Sequence, residues 1–407
     1  MTVLPKADWL RHVANTRVQP PETEYPSRHE EVLSLAAHAR TREAISAWPG
    51  YRATPLISLP GLANACQLGA IWYKDEAGRF GLGSFKALGG AYAVLRLLLR
   101  RLAEHTGREA APSDLADPRH ADAVAGVTVC CATDGNHGRS VAWGAQRFGC
   151  ACVIYVHATV SQARVAAIEG FGARVVRIDG NYDDAVRAAA RDASTYGWFV
   201  VSDTSYEGYT DIPRDVMQGY SVMAQEVLEQ LPEGDLPSHV FIQGGVGGLA
   251  AAITAHFWER LGHRRPRIIV VEPDRAACIF ASIAAGERVA VPGDLDTLQA
   301  GLACGEVSLL AWDILKDGVS DVLAIPDKTA VACMRLLAGG VDGDPAIVAG
   351  ESAVAGQAGV VLARQRPDLA QALGLDRDSR ILVFGTEGAT DEGLYARLLA
   401  PQAEGQP

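Results

Sequence analysis

Lys86 stands in "GRFGLGSFKALGGAYAV", residues 78–94, a stretch dominated by glycine, aromatic and aliphatic residues. A lysine stem can lie along apolar surface with its ammonium in water, which is the plain reading. Gly81, Gly83, Gly89 and Gly90 point instead to close backbone approach. There burial would lower the lysine pKa and leave a nucleophilic amine. A second stretch, "FIQGGVGGLAAAITAHF", ends a β-run at Gln243, places glycines at 244, 245, 247 and 248, and opens a helix near Leu249. Glycines there leave backbone N–H groups unobstructed beside a helix N-terminus, a cradle for phosphate. A tight strand-to-helix turn would look the same. The spacing fits neither the dinucleotide fingerprint nor the P-loop, and a cradle without lysine suits a small, singly phosphorylated ligand.

The third stretch is "ATDGNHGRS", residues 132–140, also at a strand end. Ligands of open parallel sheets collect outside the carboxyl ends of strands. Gly135 and Gly138 allow a sharp turn that presents Asp134, Asn136 and His137 to such a crevice. An Asp-Gly-Asn β-turn is the simpler alternative, and His137 alone reads as structural. Asn136 can donate to a ring hydroxyl or phenolate. One ligand satisfies all three stretches. Pyridoxal phosphate offers an aldehyde for a lysine Schiff base, a phosphate for the cradle and a phenolate for the Asn, and acts as an electron sink for carbanion chemistry.

Positioning these loops requires strands that end where they begin. "GVTVCCATDG", "CACVIYVHA", "ARVVRIDG" and "WFVVSD" read as buried strands separated by the helical "NHGRSVAWGAQRFG", "SQARVAAIEGFG" and "YDDAVRAAARDASTYG". "SHVFIQGG", "PRIIVVEP" and "SRILVFGTEG" resume the pattern. Such alternation indicates parallel βαβ units, hence an α/β fold with two parallel sheets. Residues 105–126 read as a polar surface excursion before the first strand of the middle sheet, and "PQAEGQP" at the end should fray.

The bulk composition is that of a soluble globular chain. Its 407 residues suffice for two or three domains, with 48% hydrophobic and 21% charged residues. A net charge of −11 argues against nucleic acid or an anionic membrane as partner. No stretch has the apolar core of a signal peptide or the length of a membrane span. Eight cysteines, without a Cys-x-x-Cys pair, read as reduced cytoplasmic thiols. The ten histidines show no ligand spacing, so no metal is expected.

Taken in order, Lys86 in "SFKALGGAYAV", then "TDGNHG", "GGVGG" and a last strand ending in "GTEG", the chain resembles the fold-type II pyridoxal-phosphate enzymes of the tryptophan synthase β family. Within it, "RFGLGSFKALGGAYAV", "CATDGNHGRSVAWGA", "VSDTSYEGYTDIPRDVMQGY" and "LQAGLACGEVSLLAWDIL" are similar to the signatures of the diaminopropionate ammonia-lyases. The resemblance implies two domains, each a mostly parallel sheet flanked by helices: residues 1–87 with 208–407 as the large cofactor-binding domain, and 88–207 inserted as the small one. It implies Lys86 as the Schiff-base lysine and a base on one face of the substrate, and Asn136 at the pyridine O3′. Gly244, Gly245, Val246, Gly247 and Gly248 would hold the phosphate. Thr386 would sit opposite the pyridine nitrogen, where a hydroxyl leaves that nitrogen neutral and favours β-elimination over transamination.

Many relatives carry Ser where this chain has Asp134. A carboxylate there is a base on the face opposite Lys86, and two bases can take the α-proton from either enantiomer. Asp203 is the candidate acid beside a β-amino leaving group, with a turn cap before Tyr206 as the alternative. Relatives place Gly where this chain has Ala353, in "AGESAVAG", so the roles of Glu351 and Ser352 are held loosely. Cys278 and Cys304 lie in matched segments that could meet near the site, with free thiols the default. The implied reaction is elimination from 2,3-diaminopropionate, L and D, to pyruvate and ammonia, by a cytoplasmic homodimer. A serine or threonine dehydratase, or an idle amino-acid-binding module, are the alternatives.

Overall fold

The structure, a computed structural model, describes residues 4–6, 9–133 and 135–400. The C-terminal residues 401–407 expected to fray, and Asp134, lie outside the described residues. Among the described residues eleven strands occur in chain order: β1 (Arg11–Ala14), β2 (Leu56–Ser58), β3 (Ala70–Asp75), β4 (Thr128–Ala132), β5 (Ala151–His157), β6 (Arg174–Ile178), β7 (Phe199–Val200), β8 (His239–Gln243), β9 (Arg267–Pro273), β10 (Asp321–Ile325) and β11 (Arg380–Gly385). They form a seven-stranded sheet, β1-β10-β9-β8-β11-β3-β2, and a four-stranded sheet, β6-β5-β4-β7. The smaller sheet is wholly parallel. The larger is parallel from β10 to β3, with antiparallel β1 and β2 closing its edges.

The parallel strands read as near-continuous apolar runs because helices cover both faces. Every residue of β8 and of β10 is buried. All the strands anticipated from the sequence are present. Strands β1, β2, β3 and β10 are additional to them. Residues 112–125 form short helical turns on the way into β4, as expected of a surface excursion.

The helix Ala87–Thr106, which starts directly after Lys86, connects the two sheets' layers. On one side it packs on the helix Asn136–Phe148, where a Cβ on Gly144 would lie 2.7 Å from Ala91 Cα. On the other it crosses the helix Asp211–Gln230, where a Cβ on Gly219 would lie 2.0 Å from the Leu88 carbonyl oxygen. Ridges cannot separate these helices at such distances, so small residues at the crossings let the backbones touch. All four strands of the smaller sheet fall within residues 88–207 and all seven of the larger fall outside. On that ground we propose the domain division at those two positions.

Candidate active site

Three strand ends and the lysine loop converge. The loop leaves β3, and its start is anchored by Arg79, which is 1% exposed. Arg79 donates from Nε and Nη2 to Glu76, both at 2.8 Å, and from Nη1 and Nη2 to Glu226, at 2.8 and 2.7 Å. Lys74 Nζ also pairs with Glu226 at 2.7 Å. Two cations and two carboxylates thus balance in the interior, where losing one partner costs about 3–5 kcal/mol. The far end of the loop is tied to the segment after β11. Phe85 N–H donates to the Thr386 carbonyl at 3.1 Å, Gly388 N–H to Gly83 at 3.0 Å, and Ser84 bridges Glu387.

Lys86 emerges from this frame between Phe85 and Tyr220, with Nζ 5.3 and 5.9 Å from their ring centres. Its partner is Asp203, whose Oδ2 lies 2.6 Å from Nζ, with 20% and 19% of the two side chains exposed. Burial pulls the ammonium pKa down, but the Asp203 carboxylate outweighs burial and holds Lys86 above its usual range. Burial would raise Asp203, yet Lys86 keeps it below the usual carboxylate range. Burial lowers the Lys86 pKa as expected, but a carboxylate at contact distance is worth more than the partial loss of water, so the net direction is upward. Asp203 does not cap the turn before Tyr206, since the Ser205 N–H donates to Ser308 Oγ and the Tyr206 N–H to the Tyr209 carbonyl. Gly81 and Gly83 adopt φ of 72° and 77°, while Gly89 and Gly90 make room for the Tyr220 ring and the Ser140 hydroxyl.

The glycine stretch runs from the end of β8 into the helix Gly248–Leu261. Gly245 and Gly247 take φ of 66° and 91°, the left-handed region that glycine enters without strain. Among the described residues, no N–H from 245 to 249 donates to a protein acceptor. This leaves five adjacent donors at a helix N-terminus. The Asp203 segment is stitched to them: Ser205 N–H donates to Ser308 Oγ at 2.9 Å, and Ser308 N–H to the Val246 carbonyl at 2.9 Å.

A profile described as "Pyridoxal-phosphate dependent enzyme" matches residues 47–387. The chain belongs to the pyridoxal-phosphate dependent enzyme family. It is 42% identical over 357 residues to the diaminopropionate ammonia-lyase of Escherichia coli (strain K12), covering 86% of this chain and 88% of that one. The enzyme of that name from Salmonella typhimurium is 39% identical over 358 residues, covering 85% and 88%. The crystal structure of the E. coli diaminopropionate ammonia-lyase in complex with D-serine superposes with a TM-score of 0.86 at 37% identity, covering 96% of this chain and 97% of that one. The fold is thus the fold-type II arrangement.

The residues fit the family's cofactor. Five free N–H groups match a phosphate, and behind them Glu272 is pushed up to about 8 by burial. A carboxyl that is protonated near neutrality spares a phosphate like-charge repulsion. Gly244 is needed there because its Cβ would lie 2.5 Å from Glu272 Cγ. Thr386 is buried at the end of β11, its hydroxyl 3.5 Å from the Ser352 carbonyl oxygen. Asn136 opens its helix, and its Nδ2 donates to Glu387. His137 places Nε2 2.8 Å from the Val201 carbonyl oxygen, in the interior.

Three neighbours were missed by sequence reasoning. Tyr220 and Arg164 come from helices far along the chain, with nothing local to mark them. Glu387 could have been found: an acid in "GTEG", directly after an apolar strand, is a charge carried inward. Glu351 accepts from Arg164 Nη2 at 3.0 Å, and Ser352 Oγ accepts the Gly301 N–H at 3.0 Å. Ala353 is buried, and its carbonyl accepts from Gln243. None of the eight cysteines, Cys278 and Cys304 included, forms a disulfide.

Proposed function

We propose that this chain is a diaminopropionate ammonia-lyase, converting 2,3-diaminopropionate and one water to pyruvate and two ammonia. The observation that carries the choice of substrate is the Lys86–Asp203 pair at 2.6 Å. Bound pyridoxal phosphate supplies the electron sink that makes the substrate α-hydrogen acidic. Lys86 would hold it, with Asn136 at O3′, Thr386 at the ring nitrogen and residues 244–248 at the phosphate. With Lys86 drawn to the cofactor, Asp203 would be left as a largely buried carboxylate in need of a cation. Diaminopropionate brings one in its distal ammonium, and serine does not.

Asp203 would hold that ammonium protonated, the form in which nitrogen leaves as ammonia. Lys86 would take the α-proton on its face, and Asp134 is our candidate base for the opposite one. The cooler reading is a serine or threonine dehydratase on the same framework. Among the described residues no helix is long and apolar enough to cross a membrane. Eight cysteines without a disulfide favour a reducing compartment, and with the resemblance we take the setting to be a cytoplasmic homodimer.

The test is pyruvate formation from diaminopropionate and from serine by the purified enzyme. A clear preference for diaminopropionate is expected, and a preference for serine would overturn the assignment. Lys86→Ala should lose the visible absorbance of the lysine-held cofactor and all turnover.

A further inference from the structure

Glu387 is a carboxylate set among the groups assigned above to the cofactor. It is 4% exposed and accepts two N–H donors, Asn136 Nδ2 at one oxygen and the Ser352 backbone at the other, the latter at 3.1 Å. It also bridges Ser84 across the backbone, two residues before Lys86. Gly350 leaves its place clear, since a Cβ there would lie 2.9 Å from Glu387 Cγ. Beside it, Glu351 pairs with Arg164 at 3.0 Å, and Arg164 belongs to the helix Gln162–Glu169 on the smaller sheet's side. Burial and the neighbouring Glu351 push Glu387 up to about 7, against Arg164 and the two donors.

An asparagine amide has two nearly isosteric ends, and only one can donate. The Glu387 oxygen that faces Asn136 accepts from its NH2 end, and the carboxylate, once ionised, can only accept and so selects that end. One hydrogen of that group goes to Glu387 and the second remains for a phenolate oxygen. Turned the other way, Asn136 would set its carbonyl oxygen against both anions. We infer that Glu387 is a positioning residue that locks the Asn136 amide in the orientation that donates to the cofactor's O3′, and couples it through Ser84 to the lysine loop. This rests on the reading of Asn136 given above.

Glutamine at 387 is isosteric but can accept well at only one end. It would leave either Ser352 N–H or the Asn136 amide without its acceptor. The test is titration of the cofactor-stripped enzyme with pyridoxal phosphate, following affinity and the ratio of visible to near-ultraviolet absorbance, which reports the O3′ proton. Glu387→Gln should bind about tenfold more weakly, the worth of one hydrogen bond to a charged group, with absorbance moved toward the near-ultraviolet. Because Glu387 acts through Asn136, adding Glu387→Gln to Asn136→Ala should cost nothing further. Additive losses, or a Glu387→Gln variant that binds and absorbs like wild type while Asn136→Ala does not, would overturn the inference. If Asn136→Ala itself leaves binding and absorbance unchanged, the reading of the site fails instead. Should the glutamine variant not fold, Glu387→Asp, one methylene too short to reach Asn136, is expected to show the same loss.

Discussion

Replacing Asp203 by asparagine removes one charge at nearly constant shape and tests the choice of substrate. At 2.6 Å from Lys86 Nζ, two unit charges attract by about 6 kcal/mol at an effective dielectric near 20. The side chains remain 20% and 19% exposed. Desolvation and screening leave roughly 1.5–3 kcal/mol, the usual worth of a hydrogen bond to a charged group. A distal ammonium taking the place of Lys86 should gain the same. Its loss lowers kcat/KM for diaminopropionate by about 10- to 150-fold. Serine has no second ammonium, so its turnover should fall far less. Pyruvate release, coupled to a reporter dehydrogenase, measures both substrates on one preparation. Equal losses would refute the reasoning, because Asp203 would then serve Lys86 alone. The same variant should lower the Lys86 pKa, since Asp203 is what raises it.

Asp134→Asn is expected to impair D-diaminopropionate more than the L form, as a base on one face should; initial rates on the two enantiomers decide, and equal losses count against two-face chemistry. Gly247→Ala places a side chain at φ 91° with its Cβ 2.8 Å from Leu315 Cδ1. The left-handed backbone alone costs about 1–2 kcal/mol, so the urea midpoint and retention of pyridoxal phosphate on dialysis should both drop. Glu387 titrates higher in the folded chain, near 7, than its ordinary 4.5, with Glu351, Arg164, Asn136, Ser352 and Tyr73 around it. Its contribution to stability is therefore complete below 4.5 and lost as pH rises through about 7. Urea melts of the stripped enzyme should show stability falling across that window, and Glu387→Gln should flatten the fall. An unchanged slope in the variant would assign the dependence to another group.

The sequence by itself determined the fold class and the cofactor chemistry, because both rest on local rules. Buried parallel strands such as β8 and β9 must be apolar along their length, and their helices must alternate with them, so both are visible in any single window. Glycine in the left-handed region at 245 and 247, next to a helix start, is equally local. The edge strands were harder to see: β1 and β2 are short and half-exposed, with little apolar signal. Only the tertiary structure decided the charges. Lys86 and Asp203 are 117 positions apart and Asn136 and Glu387 are 251 apart. Whether a buried lysine is a neutral amine or a cation depends on what stands within contact distance, and Coulomb attraction ignores the order of the chain. Lys86 follows β3 of the larger sheet, but its partner Asp203, and hence its charge, comes from the segment after β7 of the smaller one.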